Sequence, residues 1–473
     1  MGAETNKWQV LGVVGIGIFI MALNASMMNI AVPFVGAYFH VGMAVVEWVL
    51  MAFLLVISTL MLTFGRLGDM YGFRRIYLLG AAIFAAGTVL CGISPSIYML
   101  IASRVIQGIG AGMDMAIGPA LITAVFPPTE RGKALGLLGI FVASALGFGP
   151  TLGGLLLKYA DWRFLFYSNI PLALAIVLWA YLVLEPSPRT QQRFDLPGAV
   201  AVFLALGILL LALSHGGEWG WTSKATLVLI CAAAVAFALF IWRELTCTMP
   251  MMELRLFKNR LFSAAASSAL LNFVVQYMVV FLLPFYFKEV LKLDAARAGM
   301  LLSSFPLVIL VVGPLSGTLS DRIGSRGLSS FGMALSAVSL VFLSRLTPQS
   351  NWVDIVWPLV LLGLGNGVFQ SPNSSALMGS VPRTHLGIAG GILATARNTG
   401  MVMGVAFAGA IFNYRLPVRA AAAAGTDQGQ ILNVAFTGAL HDTMLVGAGV
   451  AVIGMITSLV RGSRVAPTSS SVT

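Results

Sequence analysis

Charge is what this sequence has least of. Only 10% of its 473 residues are Asp, Glu, Lys or Arg, against 58% hydrophobic, and the mean hydropathy is +0.93. A soluble globule carries about 25% charged residues. A soluble chain this apolar could not cover its own surface, so its solvent must be largely lipid. Acid is scarcer than base: 17 Asp and Glu against 28 Lys and Arg, a net charge of +11. In a soluble protein that surplus would suggest a nucleic-acid partner. Here the basic residues sit in short loops between apolar runs, a pattern of membrane orientation, and no nucleic acid is expected. Cysteine is rare and odd in number: Cys91, Cys231 and Cys247 lie in or beside apolar runs, which speaks against a disulfide framework or a metal site. The four histidines, His40, His215, His385 and His441, scatter near loops. There is no Walker A phosphate loop, no paired His/Cys metal spacing and no nucleophile elbow. An ATP-driven pump and a membrane hydrolase are disfavoured, and neither enzyme activity nor a cofactor is implied. No A-x-A-like cleavage site follows the first apolar run, which reads as a retained helix rather than a signal peptide.

What the chain has in quantity is spanning segments. A lipid-spanning helix needs about 20 mostly apolar residues. Such runs fall near 9–33, 46–64, 76–94, 97–120, 134–157, 164–184, 198–215, 225–243, 262–287, 298–318, 328–346, 354–378, 387–413 and 443–461. The expected fold class is an all-α integral membrane protein of fourteen helices. One longer Ala-rich connection, about 414–441, is expected to be an outer loop holding a short helix. Fourteen spans place both termini on one side. The loops of that side hold 17 Lys and Arg, among them Arg66, Arg74, Arg75 and Arg461, and the opposite loops hold 9. Arg104 and Arg397 fall inside spans. The excess predicts that both termini are cytoplasmic in a cell membrane.

An internal repeat is visible. Gly65-Arg66-Leu67-Gly68-Asp69-Met70-Tyr71-Gly72-Phe73-Arg74 follows the second span, and Gly317-Thr318-Leu319-Ser320-Asp321-Arg322-Ile323-Gly324-Ser325-Arg326 follows the tenth. Gly, Leu, Asp, Gly and Arg recur at the same offsets, 252 residues apart. The repeat divides the chain into a six-helix half at 1–185, two inserted helices with linkers at 186–259, a second six-helix half at 260–461 and a tail at 462–473. Parallel halves related by an axis along the membrane normal are a transporter architecture. Glycines permit a tight turn, and Asp69 and Asp321 can favour a helix N-terminus and pair with arginines. That cluster suits a gate latch made in one conformation and broken in another. It also suits a static turn with inside-positive anchoring by Arg74 and Arg75.

These loops resemble the signature loop of the major facilitator superfamily. Leu100-x-x-x-Arg104-x-x-Gln107-Gly108-x-Gly110-Ala111 resembles its fourth-helix motif, and Gly149-Pro150-Thr151-Leu152-Gly153-Gly154 the motif of its antiporters. Trp162-Arg163-Phe164 with Asn169-Ile170-Pro171, Phe194-Asp195-Leu196-Pro197-Gly198, Leu254-Arg255-Leu256-Phe257, and Gly363-x-Gly365-x-Gly367 through Arg397-Asn398-x-Gly400-x-x-x-Gly404 look like the fourteen-helix drug–proton antiporter branch. The resemblance covers nearly the whole chain. It implies the major facilitator fold and export of small, often amphiphilic compounds against inward proton flow. First helices of that branch read Leu-Asp-x-Thr-x-x-Asn-x-Ala-Leu-Pro. Here the stretch is Leu23-Asn24-Ala25-Ser26-Met27-Met28-Asn29-Ile30-Ala31-Val32-Pro33. Asn24 cannot titrate, so the usual proton-binding role is not carried over. Loss of that acid also predicts poor transport of dications, with recovery in Asn24→Asp.

The acid that stands out instead is Asp114, midway through the fourth span, where a carboxylate is costly and suggests function. Arg104, Gln107, Ala111 and Asp114 recur at helical spacing within about 80° of one face. That stripe is expected to face a cavity, with Asp114 and Arg104 the proton-coupling candidates. The bland alternative is an Asp that fixes two helices together. Arg104 stays charged when buried and needs acceptors, such as carbonyls of span 1. Asn24, Asn29, Gln107, Asn272, Gln276, Asn366, Gln370, Asn373 and Arg397 are cavity or substrate candidates, although hydrogen bonding between helices suits each amide equally. Gly149, Pro150, Gly153 and Gly154 free span 5 to kink and to approach a neighbour closely. The expected function is a proton-coupled multidrug exporter, a monomer whose partners are small molecules, protons and lipid. The rivals are a dedicated exporter of one metabolite and a transport-inactive receptor or regulator.

Overall fold

The computed structural model describes residues 7–127, 130–185, 195–247, 254–381, 386–422 and 428–461. Among them, fourteen helices are long and apolar enough to cross a membrane. The first half comprises α1 (Lys7–Phe39), α2 (Met43–Val46) with α3 (Trp48–Tyr71) as one span, α4 (Phe73–Gly92), α5 (Ile97–Val125), α6 (Arg131–Tyr159), and α7 (Phe164–Tyr167) with α8 (Asn169–Val183) as another. The inserted pair is α9 (Leu196–Trp219) and α10 (Lys224–Thr246). The second half comprises α11 (Arg260–Phe285), α12 (Ala295–Ile323), α13 (Ser325–Leu343), α14 (Trp352–Met378), α15 (Leu386–Ala422) and α16 (Gln428–Leu459). An even number of spans returns the chain to the end where it began. We call this the terminal end, and the opposite one the distal end.

Glycine sets how closely these helices approach. Gly80 and Gly110 bring the α4 and α5 backbones together, and Gly332 and Gly365 do the same for α13 and α14 in the second half. Small residues at helix contacts allow the van der Waals packing that holds helices together in lipid. The halves meet along two seams. In one, α6 packs on α12: Gly154 faces the Ala295 backbone, Gly299 faces that of Pro150, and the Thr151 and Ser303 hydroxyls are 2.7 Å apart. In the other, α3 packs on α15, and α9 lies against both. At the distal end Lys288 Nζ donates to the Pro33 carbonyl at 2.6 Å, tying the end of the ninth span to α1. The outer face of α10 is largely exposed, as a lipid-facing helix is.

Two expectations are corrected here. The connection at 414–441 is not an outer loop with a short helix: α15 runs unbroken to Ala422 and α16 starts at Gln428. Arg415 and Arg419 both pair with Asp442 of α16, so the Ala-rich stretch is helix held by ion pairs. Arg461, counted among loop cations, is instead buried. It donates to Ser268, Asn373, Ser329 and Ser458 and draws together α11, α13, α14 and α16.

Candidate functional site

A buried arginine must be given acceptors, and the sequence supplies them from three helices, with a fourth joined through Gln107. Arg104 of α5 is fully buried. Its Nε donates to the Val49 carbonyl of α3 at 3.0 Å, and one terminal nitrogen donates to Asn24 Oδ1 of α1 at 2.9 Å and to Gln107 Oε1 at 2.5 Å. Gln107 Nε2 passes the chain on to Thr88 Oγ1 of α4 at 2.8 Å, and Thr88 donates to the Phe84 carbonyl. The guanidinium carbon lies 4.1 Å from the centre of the Phe53 ring, a cation–π contact. Asn24 of span 1 is therefore a neutral side-chain acceptor in this network, the backbone carbonyl comes from span 2 rather than span 1, and span 3 joins through Thr88.

Ten residues further along α5, Asp114 is also fully buried. Neither carboxyl oxygen has a hydrogen-bond partner among the described residues. Gly80 of α4 lies against it so closely that any side chain there would meet Oδ1. Tyr77 is its titratable neighbour, with a hydroxyl that donates to the Val13 carbonyl of α1 at 3.2 Å. The stripe Arg104, Gln107, Asp114 thus points into the seams of the first half, toward α1, α3 and α4. None of the three is exposed, so none lines an open cavity in this conformation.

The comparisons with known proteins now bear on this bundle. The model of the Major Facilitator Superfamily matches residues 14–405. The chain belongs to the Major Facilitator Superfamily. It is 35% identical over 408 residues to the riboflavin transporter RibZ of Clostridioides difficile, covering 86% of this chain and 88% of that one. It is 33% identical to the multidrug resistance protein Stp of Mycobacterium tuberculosis, covering 86% and 76%. It is 31% identical to the methylenomycin A resistance protein of Bacillus subtilis, covering 85% and 87%. A bacterial homolog of the lysosomal transporter Spinster, solved inward-facing and occupied, matches in fold with a TM-score of 0.69 at 16% identity, over 97% of each chain. The fold is thus the major facilitator fold, two six-helix halves plus two inserted helices, and the family is one of transporters.

The facilitator fold distributes the other candidate residues unevenly. Tyr277 of α11 lies beside Asn29 of α1, across the halves, and beside Arg397 of α15, whose Nε has no partner among the described residues. Asn272 donates to the Met333 sulfur at 3.4 Å and Asn366 to the Leu362 carbonyl, each leaving its amide oxygen without a partner among the described residues, as Gln276 leaves its own. Gln370 is half-buried on α14. Asn373 stands apart from these, since it accepts from Arg461 and Ser268 and donates to the Ala265 carbonyl. Its surroundings are those of a helix-to-helix tie.

The repeated motif is not a loop of ten residues. Helix α3 continues through Gly65 and Gly68 to Tyr71, and Gly72 alone makes the turn, at φ 93°. Gly324 repeats this between α12 and α13 at φ 87°. A side chain is strained in that backbone region, which explains the glycine at both places. Gly317 lies against the Ser371 hydroxyl of α14, whereas nothing lies within 4 Å of where a Gly65 side chain would start. Arg74 donates to the Tyr181 carbonyl of α8 at 2.9 Å, and Arg326 is exposed. The side chains of Asp69 and Asp321 lie outside the described residues. In the antiporter motif, Gly149 and Gly153 face Ser26, Met27 and Ile30 of α1, while Pro150 and Gly154 face α12, all within one continuous helix. Asp195 caps α9 through the Gly198 amide and pairs with Arg243. Arg163 stacks on Tyr38 and Trp162. Both of these motifs are structural fasteners.

One acid was missed. Glu47 is fully buried at the junction of α2 and α3. Starting span 2 at 46 placed it at a helix end, but the span begins at Met43. The uninterrupted Met43-Ala44-Val45-Val46 before it was the available signal.

Proposed function

We propose that this chain exports small hydrophobic or amphiphilic compounds across the cell membrane in exchange for protons, by alternating access between halves 1–185 and 260–461. It acts as a monomer with both termini in the cytoplasm, 186–259 being the inserted pair with its linkers and 462–473 a tail. The observation that carries the reading is Asp114, a fully buried carboxyl with no hydrogen-bond donor among the described residues. A charge placed there would be uncompensated in an apolar surround. Asp114 therefore carries its proton in this conformation and loses it only when the packing of α4 on α5 admits water. Arg104, held by neutral acceptors alone, keeps the same bundle electropositive and favours that release. Cargo sits between the halves, among Asn29, Gln276, Tyr277 and Arg397.

The relative named for multidrug resistance supports a broad cargo. A second reading, a dedicated exporter of one metabolite, is supported by the riboflavin transporter among the relatives. The test is Asp114→Asn in everted vesicles with a fluorescent amphiphile and an imposed pH gradient. Efflux driven by the gradient should fall at least about tenfold, the effect of a coupling step removed, with expression near normal. Undiminished gradient-driven transport removes Asp114 from the mechanism. Susceptibility profiling of cells lacking the protein separates the two cargo readings: many compounds or one.

A further inference from the structure

Arg104, Arg397 and Arg461 are all drawn into the helical bundle, and they differ in what meets them. Arg104 has the Val49 carbonyl, Asn24 and Gln107 as acceptors and the Phe53 ring against it. Arg461 has Ser268, Asn373, Ser329 and Ser458. Arg397 of α15 has no acceptor for its buried Nε and no carboxylate paired with it among the described residues. It stands at mid-depth. The adjacent Asn398 reaches the sulfur of Met61, midway along α3, at 3.7 Å, and Gly400, one turn on, lies against the Leu270 carbonyl and Phe273 of α11. The Arg397 side chain lies beside Tyr277 of α11, which in turn lies beside Asn29 of α1.

An arginine keeps its charge when buried, and an uncompensated buried charge is costly. The helices that Arg397 faces do not compensate it: neither α1 nor α11 contains an acid. Elsewhere, Asp442 is held by Arg415 and Arg419, Asp114 lies against Gly80 of α4, and Glu47 meets Gly409, about 18 Å along α15 from Arg397. Tyr277, Asn29 and Gln276 supply neutral polar groups. Arg397 is half-buried. Surface left on an arginine at this depth faces the space between the halves, since facing lipid would be too costly. That space therefore meets a fixed positive charge whose donors form a planar fork, the geometry that pairs with an anionic oxygen group.

We propose that the cargo carries an anionic oxygen group, a carboxylate or phenolate on an apolar body, and that this group pairs with the Arg397 guanidinium between the halves. Amphiphilic organic anions and zwitterions are then the preferred class, ahead of cations of the same size. The proposal rests on the reading that cargo occupies this space, and it is independent of Asp114 as the coupling acid.

The test is equilibrium binding to the full-length protein in phosphatidylcholine nanodiscs, without a gradient, read by energy transfer from tryptophan to a dansyl probe. Dansylglycine, its primary amide and dansyl-ethylenediamine present one body with an anion, a neutral amide and a cation. The parent and Asp114→Asn should bind dansylglycine at least about tenfold tighter than the amide, and the cation most weakly. In Arg397→Gln the advantage of the anion should vanish while the amide binds as before. Arg397→Lys, which keeps the charge and serves if Arg397→Gln does not fold, should bind dansylglycine several-fold more weakly than the parent, because an ammonium lacks the fork. A parent with no preference for the anion overturns the proposal. So does a preference that survives in Arg397→Gln, an equal loss of all three probes there, or undiminished dansylglycine affinity in Arg397→Lys. Saturable binding without an anion preference leaves the cargo reading standing, whereas no saturable binding of any probe removes that reading and the proposal with it. Failure of Asp114 as the coupling acid appears in vesicle efflux and leaves this measurement standing.

Discussion

Asn24 gains its meaning from what faces it. At 2.9 Å from a fully buried guanidinium, it is an acceptor for Arg104 and only 2% exposed. A carboxylate placed there would meet that guanidinium before any cargo, and a charge-assisted hydrogen bond is roughly twice as strong as a neutral one. Asn24→Asp should therefore raise the melting temperature in detergent and leave the ratio of divalent to monovalent quaternary ammonium efflux unchanged. The experiment is a matched pair of such compounds in vesicles at fixed proton gradient. A gain confined to the divalent compound would show that position 24 reaches the cargo after all. Sequence alone pointed to that gain because it showed the missing acid and not the arginine opposite. The burial of Asp114 was legible, since an acid midway through an apolar run has few places to go. The chain from Arg104 through Gln107 to Thr88 was not, because a helical face does not say which neighbour it meets.

Helix α6 shows how an element acquires two roles from one short motif. Its glycines at 149 and 153 serve the first half, while Pro150 and Gly154 touch the second. A valine at Gly154 would press on the Ala295 backbone, and a packed seam yields by parting rather than by compressing. Gly154→Val is expected to increase the population with distal ends separated, read as a longer distance between labels at Lys158→Cys and Arg297→Cys. The same short distance in the variant would show that the seam tolerates the side chain. The helices themselves were legible, since all fourteen apolar runs are spans. Their ends were not. The α15 helix passes through Ala422 because alanine favours helix and Asp442 neutralises the two arginines that hydropathy reads as loop.

On the scale of the whole molecule, the described contacts between halves run from the distal end inward. They include Lys288 with Pro33, Gly154 with Ala295 and Glu47 with Gly409, with Asn398 on Met61 deeper along the α3–α15 seam. On the proposed orientation, with the termini cytoplasmic, that arrangement closes the proposed cargo site to the outside. Epitope tags at the two ends should both be removed by protease in everted vesicles and both be protected in right-side-out ones. Tags cut on opposite sides, or both from outside, would overturn the orientation. Burial of Arg461 takes one cation from the loops of the terminal side without reversing their excess.

Composition, the length of apolar runs and the 252-residue repeat by themselves determined the number of spans and marked the recurring glycines, Gly72 and Gly324 among them, that permit tight turns. These follow from interactions local in sequence: transfer of one helix into lipid, or one backbone angle. Tertiary structure alone decided that Arg104 is held by neutral acceptors, that Asn373 belongs with Arg461, and that Glu47 lies beneath the second half. Each depends on which helix faces which across gaps of about 55 to 360 residues, and in lipid every side of an apolar helix is equally acceptable until glycine and polar contacts choose one.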